Sequence, residues 1–274
     1  MFDAFGIPVN THTARLYTDE LATLLKSFFP GRTTPTMRTP DGVVVPETIA
    51  IAEELASRHT EAGLWPQGTT ARAVARVLAA EMHAGFHALR NHCPMNLRDS
   101  YTDCAPPDAV LADLDRLQLI WAWARETTGA ISPWLCGPYS AADAFFAPVA
   151  TRIATYNLPV GPETTAYVSQ NLAHTSFRRW RATGMVDVED QDFYRRDYPR
   201  RDYPRRDWPG PQTKPARAME GTEAKNASCP YSGKPVTHVM ELYGRRFGFC
   251  NAFCRDKSVA DAEAWPALMK LYHS

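Results

Sequence analysis

A five-residue repeat rich in proline and arginine divides this chain and limits what either side of it can fold into. Tyr194-Arg195-Arg196-Asp197, Tyr198-Pro199-Arg200-Arg201-Asp202 and Tyr203-Pro204-Arg205-Arg206-Asp207 run into Trp208-Pro209-Gly210-Pro211. Proline fixes φ and has no N–H, so this density of it stops a helix and disfavours sheet pairing. An extended, polyproline-like strap is predicted, within a linker over residues 185–226. Aromatic and arginine residues in alternation can also hold single-stranded nucleic acid. Here each arginine pair is partly offset by the following aspartate. The 30 basic residues of the whole chain are balanced by 30 acidic ones. The rings are therefore expected to lie on protein, with Arg and Asp in solvent, and neither a nucleic-acid nor a membrane partner is expected.

The linker separates two regions of different character. In the first, residues 7–16 alternate like a strand, 19–28 like a short helix, and Thr34-Pro35-Thr36-Met37 enters a hairpin through Val43-Val44-Val45. An amphipathic helix over 47–58 follows. This is the pattern of a partial α/β unit over residues 1–59. Residues 64–184 then read as all-helical. Val74, Val77, Leu78, Met82, Phe86 and Leu89 keep a helical period. Val110, Leu111, Leu114, Leu117, Ile120 and Trp121 do so over 108–125. Ser140-Ala141-Ala142-Asp143 opens another helix with a capping-box-like start, the acid being the shorter Asp. Helices over 162–172 and 176–182 close the bundle.

Specific residues carry a resemblance. Thr33-Thr34-Pro35-Thr36-Met37 is similar to the cis-proline turn of the glutathione S-transferases. Glu47-Thr48 is similar to their Glu/Gln-Ser/Thr pair at a helix start, and Leu64-Trp65-Pro66 with Arg72-Ala73 opens a helical domain as theirs does. Glu81-Met82-His83-Ala84-Gly85-Phe86, Cys93-Pro94-Met95-Asn96 and Ala142-Asp143-Ala144-Phe145-Phe146 resemble a bacterial subgroup. The resemblance covers roughly residues 1–183. It implies a thioredoxin-like partial domain followed by the all-α C-terminal domain of that family. It further implies glutathione as cofactor, with Thr34 and Pro35 beside its cysteinyl part and Glu47 and Thr48 at its γ-glutamyl carboxylate. By the same resemblance His83 and Arg90 border the pocket of a small electrophilic substrate, unless they simply hydrogen-bond within the bundle. The family's habit of pairing implies a homodimer, and with no basic-then-apolar signal pattern after Met1 the cytoplasm is the expected location.

The reaction is less legible. Glutathione must react as a thiolate, and a free thiol near pKa 8.5 is mostly protonated at neutral pH. The family activates it with a hydroxyl or thiol at the start of its first helix, and nothing in residues 1–9 matches that group. Restoring a strand and most of a helix takes on the order of 20 residues. The expectation is either a start upstream of Met1 or a protein without catalysis, and no catalytic residue is assigned.

Six cysteines are split between Cys93, Cys104 and Cys136, which are scattered, and Cys229, Cys250 and Cys254 near the end. In a reducing compartment such a late cluster points to metal rather than to disulfides. Cys229-Pro230-Tyr231-Ser232-Gly233-Lys234 begins like a zinc knuckle with its second Cys replaced by Ser. Strands over 237–242 and 246–249 are predicted next, and then a helix that carries Cys250 and Cys254 at its start. Residues 227–274 thereby resemble small treble-clef metal modules of the YHS and TRASH type. Tetrahedral zinc takes four ligands. Three thiols are evident, and His238, His273 or water remain for the fourth, while three thiolates also suit copper(I). The alternative to a transferase is a non-catalytic scaffold of the same fold with a zinc- or copper-binding tail.

Overall fold

The computed structural model describes residues 1–102, 104–186 and 205–274. Most of the pentad repeat, and the strap predicted for it, lies outside the described residues. Two compact units are formed. One comprises residues 1–94, 105–152 and 159–167, the other residues 95–104, 153–158 and 168–274.

In the first unit α1 (Asp19–Ser27) starts where Thr18 accepts a hydrogen bond from the Leu21 N–H at 3.3 Å. Asp19 and Glu20 in its first turn and Lys26 in its last suit the helix dipole. Strands β1 (Thr36–Arg38) and β2 (Val44–Pro46) pair antiparallel, Thr36 opposite Pro46. Helix α2 (Thr48–Arg58) buries Ile51, Ala52 and Leu55. The strand predicted over 7–16 does not form. That segment is largely exposed and irregular, and among the described residues no strand pairs with it.

The bundle of this unit is α3 (Thr69–Ala84), α4 (His87–His92), α5 (Asp108–Thr128), most of α6 (Ala141–Tyr156) and the start of α7 (Pro162–Ala173). On α3 the buried stripe is Val74, Ala75, Leu78, Ala79 and Met82. Val77, one of the apolar residues of the predicted period, is half exposed: at 100° per residue it lies roughly 130° from the centre of that stripe. The apolar period continues through Phe86 and Leu89, both buried, but the helix does not. A Cβ on Gly85 would sit 2.7 Å from the Glu81 carbonyl oxygen, so glycine is required where the chain breaks. Phe86 takes a positive φ of 57°, and the Asp113 carboxylate accepts the Leu89 N–H at 2.8 Å at the head of α4. Arg116 of α5 forms a forked ion pair with Glu81 of α3, at 2.6 and 2.9 Å.

In the second unit β3 (Ser100–Tyr101) pairs with β4 (Arg205–Arg206), so the end of the repeat does join a sheet, over two residues. Trp208 lies under the Arg181 guanidinium of α8 (Thr175–Val186) at 4.3 Å. The remaining sheet is β5 (Ala216–Met219), β6 (His238–Leu242) and β7 (Arg245–Phe249), in that order and antiparallel. The sequence leaves β5 in the linker because Ala-Arg-Ala-Met has almost no strand signature. It is held as an edge by pairing to β6, with Arg217 2.9 Å from Glu241 across the ladder. Helices α9 (Ala252–Ala260) and α10 (Pro266–His273) complete a small core of Met240, Leu242, Phe247, Phe249, Ala262 and Leu268. Among the described residues no helix is long and apolar enough to cross a membrane.

Candidate functional site

Two places gather chemistry. The first is the end of the β1–β2 hairpin in the first unit. The Thr34–Pro35 peptide is cis, and β1 begins immediately after it. Because Thr36 lies opposite Pro46, the register brings Thr34 and Pro35 to the same end of the hairpin as Glu47 and Thr48. Glu47 is the residue before α2 and holds a positive φ of 71°, a conformation that costs a non-glycine residue about 1–3 kcal/mol. Its side chain does not cap the helix, and the first turn of α2 carries no acid. The first N–H groups of a helix have no intrahelical acceptor, so this end presents donors suited to an anion. Thr34, Pro35 and Glu47 are exposed and Thr48 is half-buried.

His83, near the end of α3, places Nε2 3.6 Å from a Glu47 carboxylate oxygen. The structure thus joins one pocket candidate to one cofactor candidate. Arg90 instead donates to the His83 carbonyl at 3.2 Å, the intrabundle contact that was its structural alternative. Asp143 is fully buried and is a cap. It accepts from the Ser140 N–H at 2.9 Å and hydroxyl at 3.1 Å, the Leu135 N–H at 3.2 Å and the Tyr167 hydroxyl at 3.0 Å. Burial pushes its carboxyl above the usual range, against the pull of those hydrogen bonds. Burial, with the nearby Asp143, also pushes the Cys136 thiol up to about 12, which rules it out as a ready nucleophile.

The second place is the cysteine cluster. The sulfurs of Cys229, Cys250 and Cys254 lie within 4.8 Å of one another. None of the six cysteines forms a disulfide. The knuckle closes through Cys229 N–H to the Lys234 carbonyl at 2.8 Å and Gly233 N–H to the Cys229 carbonyl at 2.9 Å, Gly233 having a φ of 70°. The Thr237 hydroxyl donates to the Cys250 carbonyl at 2.8 Å. Asn251 caps α9 by accepting from the Cys254 N–H at 2.8 Å. Asn226 holds both backbone groups of Gly248 at 2.8 Å, fixing β7 as it runs into Cys250. Of these supports the knuckle and the Asn251 cap, an Asn directly before a helix, were readable from local sequence, and those from Thr237 and Asn226 were not.

Burial opposes ionisation of Cys229, but the N–H groups of Tyr231 and Cys250 and the hydroxyl and N–H of Ser232 prevail and hold it down to about 7. Burial, then the neighbouring Cys229, pushes Cys254 up to about 11. His238 is not among the clustered ligand atoms. Its Nδ1 is 2.9 Å from the Thr237 hydroxyl, and the His273 ring packs edge-on to Tyr272.

Two sulfurs bound tetrahedrally to one zinc at about 2.3 Å stand about 3.8 Å apart. The observed limit of 4.8 Å is within a small adjustment of that spacing, and the three soft donors fit zinc or copper(I).

Residues 1–58 match the family model for the glutathione S-transferase N-terminal domain. No curated protein matches the chain. Among solved structures, a glutathione transferase homolog from Burkholderia gl BGR1, with bound glutathione, is 20% identical with a TM-score of 0.50 over 68% of this chain and 88% of that one. A homolog from Sulfitobacter, also with bound glutathione, is 22% identical over 67% of this chain and 90% of that one, with a TM-score of 0.47. A glutathione transferase from Methylococcus capsulatus str. Bath is 23% identical over 57% and 75%, with a TM-score of 0.42. The likeness to the Burkholderia protein establishes the fold. It is a thioredoxin-like glutathione transferase fold with a small sheet and a mostly helical C-terminal domain.

Proposed function

We propose that this chain binds glutathione at the β1–β2 end of α2 and serves glutathione conjugation to a small electrophile, or a glutathione-dependent isomerisation, as a cytoplasmic homodimer. The observation that carries this is the hairpin register, which sets the Thr34–Pro35 turn beside an uncapped helix start at Glu47–Thr48. Thr48 and the first-turn N–H groups would take the γ-glutamyl carboxylate, and the backbone of Thr34 would pair with the cysteinyl part. The match of residues 1–58 to the glutathione S-transferase N-terminal domain supports it. So does bound glutathione in the Burkholderia homolog of the same fold. His83, beside Glu47, faces the electrophile in this scheme, and Arg90 lies further along the same border. The group that activates the thiol is not assigned.

A hydrogen bond to a charged group contributes about 1.5–3 kcal/mol, so Thr48→Ala is expected to weaken glutathione binding about 10-fold or more. Titration calorimetry with glutathione measures this. Binding that survives both Thr48→Ala and Glu47→Ala undiminished would falsify the assignment.

The sulfur cluster favours a second role, which can coexist with the first. Cys229, Cys250 and Cys254 would hold a zinc or copper(I) ion, with a fourth position left to His238 or to solvent. His238 lies outside the sulfur cluster and would have to turn from Thr237 to take that position. Such an ion would tie the knuckle to α9, a useful staple in a module of only about 50 residues. Elemental analysis of protein purified without chelator is expected to find about one metal per chain, lost on replacing all three cysteines by serine. Equal metal content in that triple variant would end the assignment.

A further inference from the structure

Lys257 lies on α9 three residues beyond Cys254 and so on the same side of the helix. It is half-buried, and among the described residues no carboxylate pairs with it. Its neighbour Asp256 is taken by Arg255 at 2.7 Å. Three rings surround the ammonium instead: Trp265 at 4.1 Å, Tyr231 at 4.5 Å and Phe253 at 5.4 Å from nitrogen to centroid.

Two walls of this cage, Trp265 and Tyr231, are held by hydrogen bonds, while Phe253 is half exposed. The Trp265 indole N–H donates to the Lys257 carbonyl at 3.1 Å. The Tyr231 and Ser258 hydroxyls meet at 2.6 Å, and Ser258 donates on to the Cys254 carbonyl at 2.8 Å. Tyr231 belongs to the knuckle that carries Cys229, and Phe253 directly precedes Cys254.

We propose that Lys257 is a positioning residue for the Cys229, Cys250 and Cys254 cluster, its caged ammonium serving as the counter-ion of the metal-bound thiolates. This rests on metal binding by those cysteines. Three thiolates around a divalent ion leave a charge of about −1, and around a monovalent ion about −2. The cluster contains no cationic or protonated ligand to offset it. In a half-buried setting such a charge interacts strongly with a nearby cation. Burial works against the charge on Lys257, while the thiolates of Cys254, Cys229 and Cys250 support it. The rings supply cation–π attraction, which strengthens as the cation loses water.

The test uses the full chain and Zn2+ in competition with a chromophoric chelator. Outer-shell partners of metal ligands typically change affinity 10- to 100-fold, so Lys257→Met and Lys257→Gln are each expected to bind zinc about 10-fold or more weakly. Lys257→Arg, which keeps the charge, should stay within about threefold of the parent. Near-ultraviolet circular dichroism of each variant identifies any that has lost its fold, and the comparison is made with those that keep it. Parental affinity in the neutral variants, with none in the triple Cys→Ser protein, overturns the role of Lys257 and leaves the metal site standing. An arginine variant as weak as the neutral ones also overturns it, because charge would not be the cause. Parental affinity in the triple Cys→Ser protein removes the metal site, and this proposal with it.

Discussion

Asp143→Ala is expected to destabilise the chain by about 4 kcal/mol, the range seen when one side of a buried charged network is removed. The carboxylate is fully buried and accepts four hydrogen bonds. Alanine leaves the N–H groups of Leu135 and Ser140 and the hydroxyl of Tyr167 without their acceptor. Each unsatisfied buried donor costs about 1–3 kcal/mol, and loss of the cap adds about 1. Relief of the buried charge offsets part of this sum. Asp143→Asn should cost less, since one oxygen still accepts, although its amide faces donors. Urea unfolding of the three proteins measures the difference, and an alanine variant within about 1 kcal/mol of the parent would refute the account.

The same site has a pH signature. Burial raises the folded-state carboxyl above the ordinary 3.8, so on raising the pH the unfolded chain releases this proton first. Stability from this group therefore falls from about that value up to the folded-state pKa and is level above it. The slope should disappear in Asp143→Asn.

The second large effect is expected at Arg178 and Asp261. The Arg178 guanidinium of α8 meets the Asp261 carboxylate through two bonds, at 2.8 and 2.7 Å. Their side chains are 18% and 7% exposed. Asp261 follows α9 directly and also accepts the Ala264 N–H at 3.2 Å. Breaking a buried pair from one side costs about 3–5 kcal/mol, so Arg178→Ala should fall near 3 and Asp261→Ala somewhat higher, having lost a cap as well. Glu263 stands 3.8 Å from Arg178 and can partly take over in the aspartate variant. A double-mutant cycle should give a coupling of about 2 kcal/mol, and one below about 0.5 would show that the pair holds nothing. The cycle bears on the thiol cluster too, because Cys254 sits in the first turn of the helix that Asp261 ends.

Several features were fixed by interactions spanning only a few residues, and these the amino-acid sequence determined alone. The Ser140–Asp143 cap joins positions three apart. The α5 stripe follows from periodicity, and of its six predicted core residues only Leu111 is not fully buried. The β6–β7 hairpin forms on the strands predicted over 237–242 and 246–249, turning at Tyr243-Gly244 with Gly244 at a φ of 72°. Knuckle and helix start lie close along the chain, so the three thiols were legible as one group, though not the distance between them.

Other features depended on what a segment meets in space. Residues 7–16 have the alternation of a strand but no partner strand among the described residues, whereas β5 has a poor pattern and a partner in β6. Val77 is apolar yet falls off the buried face, which the packing of α3 selects. Glu47 and the Thr34–Pro35 turn were each recognisable, but only the β1–β2 register sets them at one end. Arg178 and Asp261 are 83 positions apart, and the rings around Lys257 come from a knuckle, a helix and a loop. Local propensity reaches a turn or two along the chain. Burial, the loss of water around a charge and the pairing of an edge are decided only when distant segments pack, and so belong to the tertiary structure.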